Sequence, residues 1–93
     1  FTKSKSLPEL EKAINLVKIG RYDQARLLLI DLSKRTMDDN IKATVLWNLG
    51  LVYELQGDYP SAIKVFEDGF VLSSDGKFTS EIKKIKKGRN LLR

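Results

Sequence analysis

A chain of 93 residues with a net charge of +5 at neutral pH has the length of one small domain. It contains no cysteine and no histidine, which excludes a disulfide framework, thiolate catalysis, cysteine–histidine zinc sites and histidine acid–base work. The positive charge is local: residues 77–93 sum to +6, so residues 1–76 sum to −1, and any argument about polyanions belongs to the tail.

In chain order, the first predicted element is a helix from about Leu7 to Ile19. Ser6-Leu7-Pro8-Glu9 reads as a capping box with proline in the first turn, where a missing N–H costs nothing. Gly20 supplies the left-handed residue that ends the helix. A second helix runs from about Asp23 to Arg35. The third begins near Thr36 or Asp39 and reaches Gln56; Thr36-Met37-Asp38-Asp39 puts a capping residue and two acids at its positive end. Gly57 stops it. Asp58 caps a fourth helix, with Pro60 in its first turn, that runs to about Leu72. Ser73-Ser74-Asp75-Gly76 is a turn signal, and a fifth helix follows from about Phe78 to Leu92. No alternating apolar pattern of a strand occurs.

The elements repeat. Gly20, Tyr22, Ala25, Leu29 and Leu32 align with Gly57, Tyr59, Ala62, Phe66 and Gly69, each pair 37 residues apart. Each unit is helix, Gly-x-Tyr turn, helix, and the short turns force antiparallel neighbours. Ala25, Leu28, Leu29 and Leu32 form an i, i+3, i+4, i+7 stripe, and Leu46, Leu49, Gly50 and Tyr53 form another. In the fourth helix Ala62, Ile63, Phe66, Phe70 and Leu72 are expected inside, with Lys64, Glu67 and Asp68 in water. Leu27 and Ile30 point away from the core stripe. Phe78, Ile82, Ile85 and Leu92 give the fifth helix one narrow apolar stripe among lysines, which suits a terminal cap.

Residues 43–74 resemble a tetratricopeptide repeat. Leu46 takes the family's large position, followed by Leu49-Gly50, Tyr53, Gly57-Asp58-Tyr59, Ala62, Phe66 and Gly69. Trp47 comes one place late for the family's tryptophan, and Ser74 stands where proline is usual. Residues 6–39 match less closely, keeping Ala13, Leu16, Gly20, Tyr22, Ala25, Leu29 and Leu32 but placing Glu9 and Lys12 where the family is apolar. The resemblance implies an all-α array of antiparallel helix hairpins, an α-solenoid of about five helices in one domain: repeat 1 at about 6–39, repeat 2 at about 43–74 and a capping helix at about 78–92. The start at Phe1 rather than Met suggests a piece of a longer protein.

The resemblance also implies a function. The first helix of each pair lines a concave groove that binds a segment of another protein. The groove positions here are Leu7, Leu10, Ile14 and Val17 from the first unit, and Thr44, Trp47, Asn48, Leu51 and Leu55 from the second. Trp47 is the natural anchor. The fifth helix could instead fold back and bury this surface, or a second copy of the chain could cover it, making the module a homo-oligomerisation domain. The family's carboxylate clamp for chaperone tails is not expected, because Leu10 and Ile14 replace its first lysine and asparagine and only Asn48 matches.

Other classes carry less. Lys83, Lys84, Lys86 and Lys87 could contact a polyanion, but the run lacks the interleaved aromatics that stack bases, so nucleic acid is disfavoured. Asp38-Asp39 and Glu67-Asp68 are adjacent acids that diverge on a helix. No phosphate loop, metal motif or nucleophile elbow occurs. The chain reads as a scaffold or adaptor, not an enzyme, with no cofactor and no metal. No run approaches the ~18 apolar residues of a membrane span, and no secretory signal is visible, so a soluble protein is expected, with the cytoplasm favoured.

Overall fold

The computed structural model describes the backbone of residues 6–91 and the side chains of residues 8–88. It is all-α: α1 (Ser6–Lys18), α2 (Tyr22–Arg35), α3 (Asp39–Leu55), α4 (Tyr59–Ser73) and α5 (Gly76–Leu91), with no strand among the described residues. Each helix packs on the next, and α1 also meets α3. Trp47 of α3 also touches Phe78 of α5. The thinnest dimension, 18 Å, is about two helix diameters.

The two hairpin turns are copies. Gly20 and Gly57 have φ of 82° and 79°, the left-handed region where a side chain would be strained. The Gly20 N–H donates to the Val17 carbonyl and the Arg21 N–H to that of Leu16. The same pair recurs 37 residues on, from Gly57 to Glu54 and from Asp58 to Tyr53, at 2.8–3.0 Å throughout. These bonds satisfy carbonyls left over at the helix ends. The turns are also tied to each other. Asp23 on α2 accepts from Arg26 (3.0 Å) and from Gln56 after α3 (2.7 Å), and Arg26 donates to Gln56 (2.7 Å). The hydrogen bond from Gln56, then the Arg26 charge, holds the Asp23 carboxyl below its ordinary value.

At the junction between α2 and α3 the structure decides between the two expected starts, with α3 beginning at Asp39. Thr36 does not begin α3 but closes α2: its N–H and its hydroxyl both donate to the Leu32 carbonyl, at 2.9 and 2.6 Å. It is the buried polar residue of the core. Asp38 caps α3 instead, accepting from the Ile41 N–H at 3.0 Å. Asp58 caps α4 through the Ser61 N–H, as the sequence implies. Replacing Asp38 with alanine should therefore destabilise the fold by about 1 kcal/mol, read as a lower urea midpoint at unchanged slope. The equivalent change at the neighbouring Asp39, exposed and not the cap, should cost less. The Ser6 part of the first capping box lies outside the described side chains; Glu9 itself pairs with Arg35 of α2 at 2.8 Å.

The core lies in two clusters that share α3. Leu10, Ala13, Ala25, Leu29, Leu32, Val45, Leu46, Leu49 and Val52 join α1, α2 and α3. Ala43, Ala62, Phe66, Phe78, Ile82 and Ile85 join α3, α4 and α5. The expected stripes are inside, with Leu28, Tyr53, Ile63, Phe70 and Leu72 half-buried rather than enclosed and Leu92 outside the described residues. Leu27 is 63% exposed, whereas Ile30 packs partly on the first cluster.

Glycine makes the second cluster possible. A Cβ at Gly50 would run into the Phe66 ring, and one at Gly69 into the Phe78 ring. Each glycine thus seats an aromatic side chain of the next helix. Both rings are essentially enclosed, at 0% and 1% exposure. Trp47 lies beside both, 5.2 Å from Phe66 and 5.5 Å from Phe78 between ring centroids.

Candidate functional site

Of the nine residues assigned to a groove, the eight with described side chains do not share one open surface. Leu10 is 5% exposed and belongs to the first core cluster. Ile14 and Val17 are half-buried against the same cluster. Leu10, Ala13, Ile14 and Val17 are in fact the core stripe of α1, at i, i+3, i+4 and i+7. Its water-facing residues are Glu11, Lys12, Asn15 and Lys18. The two places where the first unit departs from the family pattern account for this. Glu9 reaches Arg35, Lys12 is exposed, and Leu10 takes the inner position. Leu7 lies outside the described side chains.

On α3 the expectation survives in part. Trp47 and Leu51 are half-buried and pack on the α3–α5 cluster. Beside Trp47, the Lys77 Nζ lies 4.8 Å from the ring centroid, a cation–π distance. The N-terminal turn of α5 therefore covers the proposed anchor. Asn48 donates to the Thr44 carbonyl at 2.9 Å. Leu55 is 55% exposed. Thr44, Asn48, Leu51 and Leu55 stand at i, i+4, i+7 and i+11, one face of a helix. That face grades from polar at the start of α3 to apolar at its end.

The lysines of α5 divide between two sides. Lys84 Nζ meets Glu81 Oε2 at 3.3 Å. Lys83 and Lys86 instead line an open groove of about 410 Å³ between α4 and α5, with Glu67, Phe70, Val71, Thr79 and Ile82. Val71 is 80% exposed there. Lys87 is exposed. The four do not form one patch turned in one direction. Sequence reasoning missed this groove, although Val71 and the unpaired position of α5 after two complete hairpins were visible.

It also missed a half-buried carboxyl, Glu54 near the end of α3. Its Oε1 has neither solvent contact nor a hydrogen-bond donor among the described residues. Burial first, then the hydrogen bond and charge of Glu81, push the Glu54 carboxyl up to about 7, with Lys84 opposing. The signal was present: Glu54 is the one charge between Lys42 and Asp58, and Glu81 the one acid in residues 77–93.

No protein-family model, curated protein or solved structure matches the chain.

Among the described residues no group of three or more acidic side chains stands in metal-binding proximity, and no helix is long and apolar enough to cross a membrane. Asp38 is used as a cap, and Asp68 pairs with Lys64 at 3.2 Å.

Proposed function

We propose that this chain is a protein-interaction module, a scaffold of tetratricopeptide-like hairpins that binds a segment of another protein along the outer face of α3. The observation that carries the reading is Leu55. It ends the most deeply packed helix in the molecule, one turn beyond half-buried Leu51, yet stays 55% exposed. Asn48 and Thr44 extend the same face with polar groups. A partner segment with one large apolar side chain, flanked by hydrogen-bonding groups, matches that gradient. The apolar end supplies affinity through burial, and the polar end supplies orientation. The contact is smaller than the groove drawn from the sequence, because Leu10, Ile14 and Val17 hold the core together.

Leu55→Glu tests the reading, since an exposed position tolerates the charge without disturbing the fold. Proteins retained by the immobilised chain are identified and then measured singly. Their binding should weaken at least about tenfold, the equivalent of 1.4 kcal/mol, in Leu55→Glu. It should be unchanged in Lys83→Glu/Lys86→Glu. Equal binding by Leu55→Glu, with loss in the lysine variant, would move the function to the basic helix. That binding would also fall steeply with added salt.

A further inference from the structure

The open groove between α4 and α5 has a volume of about 410 Å³, in the range of small-molecule sites. Its walls are mostly hydrocarbon, with Phe70 and Val71 on α4 and Ile82 on α5. Val71 is 80% exposed, so the described side chains do not fill the groove. Lys83 and Lys86 stand on the α5 wall at i, i+3, neighbours on one helix face. Neither makes an ion pair among the described residues, whereas Lys84 is tied to Glu81 and Lys64 to Asp68. Glu67, on α4, is the one acid among the described lining residues. From Thr79 to Lys86 the α5 wall is about 10 Å long.

The lining discriminates among occupants. A peptide brings backbone N–H and C=O groups that need partners when they leave water. Thr79, the one uncharged polar side chain of the described lining, already gives its hydroxyl proton to the Gly76 carbonyl at 3.0 Å. The donors that remain are the two ammonium groups, which suit one compact anion. A hydrocarbon chain makes no demand that Phe70, Val71 and Ile82 do not meet. A second copy offering the same groove would set lysines against lysines. The chain's own ends are basic too, with Lys3 and Lys5 in residues 1–5 and Arg89 and Arg93 in residues 89–93. A membrane surface calls for an apolar helix face to insert, and α5 has buried its own, because Phe78, Ile82 and Ile85 are core residues.

We propose that this groove binds a free aliphatic carboxylate of medium chain length, its carboxylate held by the Lys83 and Lys86 ammonium groups and its hydrocarbon lying along Ile82 toward Val71 and Thr79. Charge sets the direction of the ligand, because the lysines stand toward one end of the α5 wall and Thr79 at the other. Glu67 opposes the bound anion and keeps its affinity modest. The site does not rest on the binding role of α3.

Octanoate, kept below the concentration at which it forms micelles, tests this with the intact chain. Backbone amide resonances should shift and saturate, most strongly at Val71, Thr79, Ile82 and Lys83. Acetate, which has the head without the chain, and octylammonium, which has the opposite charge, should give no saturable shift there. Lys83→Glu/Lys86→Glu should weaken octanoate binding at least about tenfold, and Glu67→Gln should strengthen it at least about twofold. All three positions are exposed, so these variants keep the fold. Leu55→Glu should bind octanoate as the wild type does, which separates failure of this groove from failure of the α3 face. Absence of saturable shifts, equal binding of octylammonium, or indifference to the lysine and Glu67 changes would overturn the proposal. So would the same amides answering instead to a glutamate-rich peptide carrying one leucine, to phosphatidylglycerol vesicles or to the concentration of the chain itself, since each gives the groove to another occupant.

Discussion

Phe66→Ala should be among the most damaging single changes in this protein, lowering its stability by about 3–5 kcal/mol. The ring is 0% exposed and touches all three helices of the second cluster: it sits on Gly50 of α3, springs from α4, and lies 6.2 Å from the Phe78 ring of α5. Alanine would leave a cavity that cannot collapse readily, because Gly50 offers no side chain to fill it. A domain of this size has about 5–15 kcal/mol in total, and each kcal/mol corresponds to about 4–8 °C of melting temperature. The variant should therefore be close to unfolded at 37 °C. Thermal unfolding followed at 222 nm reads this directly. A loss of only a few degrees would mean that Phe66 is not the centre of the cluster.

Phe78→Ala should cost a similar amount in local packing, but the damage should be confined. Phe78 is the first residue of the α5 stripe, 1% exposed, and seated on Gly69 beside Trp47. Behind it, among the described residues, Ile82 and Ile85 hold α5 in the core. The cluster of α1, α2 and α3 does not include α5. Hydrogen exchange should therefore show protection lost along residues 76–91 while the amides of α2 and α3 remain slow, a sub-global opening. Trp47 emission should shift to longer wavelength, since the ring would lose its contact with Phe78. Uniform loss of protection across the chain would show that α5 is integral to the fold and not a separable cap.

Much of this architecture was legible in the sequence for local reasons. The Gly-x-Tyr turns fix their own geometry, because Gly20 and Gly57 adopt φ values that other residues avoid. Asp58 and Pro60 mark the start of α4 by capping chemistry that acts within four residues. The stripe of Phe78, Ile82 and Ile85 predicted the docked face of α5, and all three are buried. What failed depended on the roll of one helix against its neighbours. Leu10, Ile14 and Val17 form a correct apolar stripe, but the stripe does not say whether it faces a core or a groove. That choice was made by Glu9 and Lys12, which cannot face inward. Thr36 offered both a cap and an end, and the Leu32 carbonyl decided it. The raised Glu54 carboxyl depends on burial and on Glu81, 27 residues on in sequence, beyond the reach of any local pattern.

The charge of the tail is similarly redistributed by the fold. Seven basic residues in residues 77–93 suggested one patch, yet Lys84 answers Glu81 and Lys77 answers the Trp47 ring. Neither lines the groove between α4 and α5. Lys83 and Lys86 face the other way, toward Glu67 and the exposed Val71. The basic helix therefore has a structural side and a solvent side.

The central claim is that the face of α3 ending at Leu55 meets another protein. A photo-crosslinking amino acid placed at position 55 tests it most directly, with the same group at Lys64 on α4 as the exposed control. Irradiation in cells should give a discrete adduct with another protein from position 55 and none from position 64. Absence of an adduct at 55, or equal adducts at both positions, would contradict the account.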